Sequence, residues 1–400
     1  MVGAGQAGGR AVEAMRAAGF DGRIQLVGAE AHVPYERPPL SKKLLTGDVG
    51  PQSTYLHDAA FYHDRRIELR LGVEAVAIGR EDRSLRLSTG ETLAYDKLLL
   101  TTGARVRRLP IAGAELPGVH YLRRMEDSLA IGKQLVAGAR LVVIGGGFIG
   151  LEAAAAARAQ GCEVTLLEAA ELVMNRVVAP EISRFYEELH RVNGVDIHTG
   201  VTVLELIGGE RVEAVVCEGG PICPADLVIV GVGVEADAGL AEAAGLAVDN
   251  GIVVDRHGRS SDENIFAAGD VANHPNEILG RRLRLESWQN AQNQAIAVAR
   301  VMCGGSDPYQ ELPWFWSDQY GLNLQMIGLP EEWDRLVIRG DMAAHKFIAF
   351  YLRDHAVIGA NAVNSPRELR YARMLMEKAV RPDPAALADQ DIPLKSLLGK

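Results

Sequence analysis

Two short glycine runs carry the clearest chemistry in this chain. The first is Gly3-Ala4-Gly5-Gln6-Ala7-Gly8, the second Gly145-Gly146-Gly147-Phe148-Ile149-Gly150. Both follow the order G-x-G-x-x-G. The first glycine of such a run permits a tight turn, the second lets backbone approach a pyrophosphate, and the third lets a helix pack closely on a strand. The helix that follows offers free N–H groups and the positive end of its dipole to phosphate oxygens. After each run come a helical pattern, an apolar strand and an acid, Glu30 in the first case and Glu168 in the second. A carboxylate at that place accepts hydrogen bonds from the adenosine ribose. One such motif is weak evidence, because glycine-rich loops are common. Two with the same sequel point to two dinucleotides, and so to a flavin and a nicotinamide.

Glu168 also bears on the choice of nicotinamide. A carboxylate there bonds a free 2′-hydroxyl and repels a 2′-phosphate, and the following Ala169 and Ala170 bring no cation to such a phosphate. This favours NADH over NADPH; the bland alternative is that Glu168 is a solvated strand end. Asp270, in Ile265-Phe266-Ala267-Ala268-Gly269-Asp270, follows an apolar strand near a helix start. With a dinucleotide turn at Gly3, it is a candidate for the ribityl chain of a flavin. Taken alone, Gly-Asp is an ordinary turn.

These residues need a scaffold, and the pattern supplies one. Residues 24–27 and 97–101 read as buried strands around the first glycine run, with helix through Ala18. Residues 141–144, 151–159 and 164–167 read as strand, Ala-rich helix and strand around the second. The two runs are the one internal repeat, a duplicated nucleotide-binding architecture. Residues 227–230 form another apolar strand before Gly231-Val232-Gly233, and 286–302 read as helix. After Gly304-Gly305 the composition changes: 313–320 (PWFWSDQY) hold two of the four tryptophans, and strand-like runs fill 346–363. That indicates a third, α+β domain.

Composition agrees with such a chain and narrows the function. At 400 residues it exceeds one ordinary core, and at ~150 residues per domain it implies two or three. With 48% hydrophobic and 24% charged residues, disorder is disfavoured. A formal charge of −10 argues against a nucleic-acid partner, which needs a basic face. The cysteines, Cys162, Cys217, Cys223 and Cys303, show no C-x-x-C or C-x4-C spacing. Zinc, a chain-borne iron–sulfur cluster and a disulfide framework all lose support, and dispersed thiols fit a reducing cytoplasm. No apolar run of ~18 residues is free of glycine and charge, so no membrane span is expected. No signal peptide is visible.

Taken together, VGAGQAG, PYERPPLSK, TTGAR, HYLRR, VVIGGGFIGLE, RVVAPE, IFAAGD, ESWQNA and PWFWSDQY, in that order, resemble the FAD-dependent, NADH-using ferredoxin reductases that feed bacterial oxygenases. The resemblance covers nearly the whole chain. It implies an α/β, glutathione-reductase-like fold with two Rossmann-type dinucleotide-binding domains plus a C-terminal α+β domain. Residues 1–106 and 236–308 would form the FAD domain, 107–235 the NAD domain and 309–400 the C-terminal domain. It also implies roles for residues. Gly3, Gly5, Gly8 and Glu30 belong to FAD, bordered by Arg37 and Lys42, with Lys42 close to the isoalloxazine; Ala75 joins the cofactor-binding positions. Arg123 meets FAD phosphate or ribityl groups, Asp270 the ribityl chain, and Trp288 covers the flavin ring. Gly145, Gly147, Gly150 and Glu168 belong to NADH, with Arg176 at its adenosine. Glu152 lies near the nicotinamide and Lys42, and Gly231 and Gly233 let backbone pass beside the nicotinamide half. Trp316 lies between flavin and partner, with Trp314 beneath it.

The reaction implied is hydride transfer from NADH to FAD, then single electrons to a 2Fe–2S ferredoxin serving an oxygenase, by a cytoplasmic monomer or homodimer. A basic docking patch is expected for an acidic ferredoxin, and Arg281, Arg282 and Arg284 are the candidate. Each residue also has a plain alternative. Lys42 and Glu152 fit a surface ion pair, Arg37 and Arg123 solvated arginines, Trp288, Trp314 and Trp316 core aromatics. The chain departs from the family where only Met1 and Val2 precede Gly3; so short a strand is expected to pair poorly and to weaken flavin retention. Ala29 stands where many relatives carry an acid, leaving Glu30 alone on the ribose. A quinone or monodehydroascorbate-type reductase shares both glycine turns and stays open, as does a redox-sensing interaction protein like apoptosis-inducing factor. A flavin disulfide or peroxide reductase needs a cysteine beside the flavin, and no cysteine precedes Cys162.

Overall fold

The computed structural model describes residues 1–399, which group into two compact units. The first comprises Met1–Pro39, Val49–Arg107 and Val234–Leu312; the second comprises Leu40–Asp48, Arg108–Gly233 and the chain from Pro313. Among the described residues no helix is long and apolar enough to cross a membrane.

The first unit is built on a parallel sheet. Ile67–Leu71 pairs with Ile24–Gly28, and Leu98–Leu100 with Ile265–Ala267. Val2 bridges Val27 on one side and Leu100 on the other, both in parallel. The expectation that two residues pair poorly is corrected here. The amide of Val2 donates to Leu99 at 2.9 Å, that of Gly3 to Val27 at 2.8 Å, and the amide of Thr101 donates back to Val2 at 2.7 Å. Flanked on both edges, so short a strand leaves no ladder group open. The helix Gln6–Ala17 buries Ala7, Ala11, Val12, Ala14 and Met15. These pack with Ala291, Ala295, Val298 and Ala299 of the helix Trp288–Met302. Small side chains on both faces let the two backbones come close.

The second unit holds a five-stranded parallel sheet in the order Val195–His198, Glu163–Leu167, Arg140–Ile144, Leu227–Val230, Val119–Tyr121. It also holds a five-stranded antiparallel sheet, Trp314–Gln319, Leu322–Gly328, Ala356–Val363, Lys346–Arg353, Arg335–Asp341, followed by the helix Pro366–Glu377. One hydrophobic core joins them: Leu141, Leu151, Ile182 and Tyr186 share it with Leu324, Phe347 and Tyr351. Phe185 meets Phe347 edge-on at 5.2 Å, and the Tyr351 hydroxyl accepts from the Ala179 amide at 2.8 Å. The expected segments 107–235 and 309–400 therefore lie largely in one unit, because their apolar faces bury each other.

A three-stranded antiparallel sheet, Val203–Gly208, Val212–Cys217 and Ile222–Pro224, completes this unit. It corrects the picture of four dispersed thiols. Cys223 lies directly opposite Val215, two residues from Cys217, so the register of the two strands brings these two buried thiols close. Burial, then the neighbouring thiol, pushes Cys223 up to about 11. All four cysteines are free.

Candidate functional site

Both glycine turns have the same internal logic. Gly3 has φ +106°, and a Cβ there would lie 2.1 Å from the carbonyl oxygen of Thr101. A Cβ on Gly8 would lie 2.0 Å from the Gly3 oxygen. In the second turn Gly145 has φ +108°, with a Cβ 2.5 Å from the Gly231 oxygen, and a Cβ on Gly150 would stand 2.0 Å from the Gly145 oxygen. The protein's own packing thus demands glycine at the first and third positions. At the middle positions it does not: a Cβ on Gly5 or Gly147 meets nothing within 4 Å. At these two positions the fold itself leaves room for a side chain, and glycine leaves the turn open to a ligand.

Gly5 and Gly147 are the N-caps of the helices Gln6–Ala17 and Phe148–Ala159. Neither helix has a side-chain cap or an acid in its first turn. Their first N–H groups and positive dipole ends face the open space uncompensated, which fits a pyrophosphate. At the first turn the buried Gln6 amide finds no protein partner on either atom. It is an orphaned polar group that a bound dinucleotide would satisfy. The sequence reading passed over Gln6, which stands at an unspecified position of the motif.

The two acids are held differently. Glu168 accepts from the Gly146 amide at 2.6 Å and from the Ala170 amide at 2.8 Å, one bond on each oxygen. It is thereby fixed to the rim of the second turn and is not a free strand end. Glu30 accepts from the Tyr35 hydroxyl at 2.5 Å and from Arg37 Nη2 at 2.8 Å, while Arg37 Nη1 donates to the Tyr35 hydroxyl at 3.1 Å. Burial works against the Arg37 charge, but Tyr35, Glu30 and Asp270 outweigh it and raise its pKa. Arg37 is therefore no solvated arginine. Tyr35, 2% exposed, was not singled out from the sequence, although it stands in the quoted PYERPPLSK segment.

Lys42 and Glu152 meet as the resemblance implies, and not as a surface pair. Lys42 Nζ lies 2.6 Å from Glu152 Oε2, and Glu152 is 3% exposed. A short 3₁₀ turn, Pro38–Ser41, precedes Lys42 and places Ser41, whose hydroxyl donates to the same oxygen at 2.5 Å. Ser317 donates to the other oxygen at 2.6 Å. Glu152 lies one turn into the helix that opens at the second glycine turn, and Gly231, at the end of Leu227–Val230, packs on that turn. This group thus sits beside the second turn within one unit.

The remaining residues fall as follows. Asp270 is half-buried after Gly269, and its carbonyl accepts from Arg284 at 3.1 Å. Trp288 opens its helix, half-buried, next to the N-cap Ser287. Ala75 starts the strand Ala75–Gly79 and packs on the apolar cluster of Leu85 and Leu87. The Arg123 amide donates to Asp127 at 3.0 Å, just before the helix Met125–Gly132. Arg176 is exposed on a turn, and Gly233 is exposed with φ +99°.

Trp314 and Trp316 stack at 5.2 Å and 22° on one face of their strand, both half-buried. The other face carries Phe315, packed on Phe148 at 4.6 Å, and Ser317. They lie outside the unit's main core cluster. Of the candidate basic patch, Arg282 is spent on the carbonyls of Val254 and Asn273, and Arg284 on Glu286 and Asn250. These two guanidiniums are tied to neighbouring segments of their own unit.

Comparison with known proteins agrees with this geometry. Residues 1–295 match the family model described as pyridine nucleotide-disulphide oxidoreductase, and residues 314–398 the one described as reductase C-terminal. The chain is similar to putidaredoxin reductase of Pseudomonas putida, with 43% identity over 100% of this chain and 96% of that protein. It is similar to the ferredoxin–NAD(+) reductase component of the anthranilate 1,2-dioxygenase system of Burkholderia cepacia, with 44% identity over 100% and 98%. The crystal structure of a covalent putidaredoxin reductase–putidaredoxin complex superposes with a TM-score of 0.96 at 43% identity, covering 99% of this chain and 97% of that one.

Proposed function

Because this chain belongs to the pyridine nucleotide-disulphide oxidoreductases, we propose that it takes electrons from NADH and passes them, through FAD, to a ferredoxin of an oxygenase system. The observation that carries this reading is the matched pair of glycine turns. Each keeps an open middle position beside an uncapped helix N-terminus and a placed acid. Bound FAD supplies the exchange between a two-electron donor and a one-electron acceptor.

The chain's own residues bind, orient and carry charge. Gly3, Gly5, Gly8, Gln6 and Glu30 hold FAD at its pyrophosphate and ribose, with Arg37, Ala75, Asp270 and Trp288 in the same unit serving the rest of that cofactor. Gly145, Gly147, Gly150 and Glu168 hold NADH, and Arg176 serves its adenosine. The ion pair of Lys42 and Glu152, with Gly231 and Gly233, forms the nicotinamide end. Its cation stabilises negative charge that develops in hydride transfer. Arg123 assists on the phosphate or ribityl groups. Trp316, stacked on Trp314, serves electron passage to the acceptor, a 2Fe–2S ferredoxin. The reaction draws on the NADH of the cytoplasm, where four free thiols also persist.

The test is NADH-driven cytochrome c reduction by the purified, FAD-loaded protein, with and without an oxygenase-type 2Fe–2S ferredoxin. A large, salt-sensitive stimulation by ferredoxin is expected. If a panel of such ferredoxins gives none while quinones are reduced rapidly, the acceptor is a quinone and the proposal fails.

A further inference from the structure

Glu152 has three donors on its two oxygens, and they come from two distant places in the chain. Ser41 and Lys42 bond Oε2, and Ser317, from the strand Trp314–Gln319, bonds Oε1. The period of a strand puts Phe315, Ser317 and Gln319 on one face. Ser317 is fully buried and Gln319 2% exposed. Behind Ser317 the bonding continues. Gln319 Nε2 donates to the Ser317 oxygen at 3.0 Å, and Gln319 Oε1 lies 2.8 Å from Nε2 of His190, which is fully buried in the helix Pro180–Val192. The Tyr320 hydroxyl stands 3.3 Å from the other ring nitrogen, Nδ1.

The direction of every bond follows. An amide oxygen only accepts, so His190 must carry its proton on Nε2. Burial depresses the His190 pKa to about 4, so the ring is neutral near pH 7 and Nδ1 accepts from Tyr320. The Gln319 amide, held at its oxygen by His190, turns its N–H₂ to Ser317. Ser317 then has its oxygen occupied as acceptor and its proton free for Glu152. Each donor points toward the carboxylate. The chain is not a proton relay, because a primary amide interrupts it: Gln319 donates a proton at one atom and accepts at another without passing one on.

We infer that Ser317, oriented by Gln319 and His190, is a positioning residue that holds the Glu152 carboxylate against Lys42 for hydride transfer from NADH. The inference rests on the assignment of Glu152 and Lys42 to the nicotinamide end. It gives the strand Trp314–Gln319 a second task besides presenting its tryptophans, on its opposite face. Without the Ser317 hydroxyl, Oε1 would be a buried oxygen with no donor, and the carboxylate would lose the fixed orientation in which Oε2 meets Lys42. Lys42 would follow it away from its working position.

Anaerobic rapid mixing of the FAD-loaded protein with NADH separates the limiting rate of flavin bleaching from the NADH dissociation constant. Ser317→Ala is expected to lower the limiting rate about tenfold and to change the dissociation constant less than about threefold. Ser317→Thr, which keeps the hydroxyl, restores the rate. In a Glu152→Leu background, Ser317→Ala adds no further loss. Calorimetric melting of the same proteins gives a readout independent of turnover: Ser317→Ala lowers Tm in the wild-type background and not in Glu152→Leu. Losses that multiply in the double variant, or a lowered Tm with an intact limiting rate, would reduce Ser317 to a packing residue and overturn the inference. Wild-type bleaching rates in Glu152→Leu alone would instead overturn the assignment beneath it.

Discussion

Gly147 and Gly150 stand three residues apart in one turn, yet the packing demands glycine only at Gly150, and alanine separates them. At Gly147 the backbone is extended, with φ −78° and ψ 179°, and a Cβ meets nothing within 4 Å. Alanine is a poorer N-cap than glycine by roughly 0.5–1 kcal/mol. It also narrows the unfolded ensemble, which returns about 0.4–1 kcal/mol. The two nearly cancel, and at about 2–4 °C per kcal/mol the Tm of Gly147→Ala should stay within about 2 °C of wild type. The added methyl stands where a pyrophosphate would approach the helix N-terminus. Loss of one hydrogen bond to a charged phosphate costs about 1.5–3 kcal/mol, roughly a 10- to 150-fold weaker NADH dissociation constant. Gly150→Ala is the counterpart. Its Cβ would stand 2.0 Å from the Gly145 carbonyl oxygen, a backbone atom that cannot swing aside. Such overpacking costs about 1–3 kcal/mol or more, several degrees of Tm. The assays are calorimetric melting and the NADH dependence of anaerobic flavin reduction. Unaltered NADH affinity in Gly147→Ala would refute the placement of the pyrophosphate there. A Tm loss in Gly147→Ala equal to that of Gly150→Ala would refute the claim that the middle glycine serves the ligand alone.

Two further outcomes are expected. The pair Glu168→Ser with Ala169→Arg should narrow the preference for NADH over NADPH, read as the ratio of the two kcat/KM values; an unchanged ratio would remove Glu168 from the ribose. His190 is buried neutral, its pKa lowered from 6.5 to about 4 chiefly by desolvation. The unfolded chain therefore binds its proton at higher pH than the folded one, and stability falls as pH drops from 6.5 to about 4, by up to about 3 kcal/mol. Below that range the contribution is constant. Denaturant titrations across it should show a steeper slope for wild type than for His190→Gln, and parallel curves would mean that His190 is not buried neutral.

Local elements were legible because their signals are local. The strand Leu227–Val230 appears as an uninterrupted apolar run, and the helices after both glycine turns follow from the turns themselves. Pairing partners were less so. The two residues before Gly3 read as too short to pair, since a sequence does not display that Val27 and Leu100 stand on either side of Val2. Cys217 and Cys223 read as dispersed, since their meeting depends on the register of two strands. Arg281, Arg282 and Arg284 read as a docking patch, since charge is visible in a sequence, whereas the carbonyls that Arg282 and Arg284 bond and the carboxylate of Glu286 beside Arg284 are not.

The two glycine turns, the acids that follow them and the order of the segments were legible in the chain before folding. These depend on steric and electrostatic rules that act over a few neighbouring residues: a turn without Cβ, a free helix end, a carboxylate one strand later. The surroundings of Glu152 exist only in the folded chain. Ser41, Ser317, Gln319 and His190 come from distant parts of the chain. They meet because the two sheets of the second unit bury one common core. A serine or glutamine has no sequence signature of the carboxylate it will orient. That role exists only once burial has removed water as the competing partner.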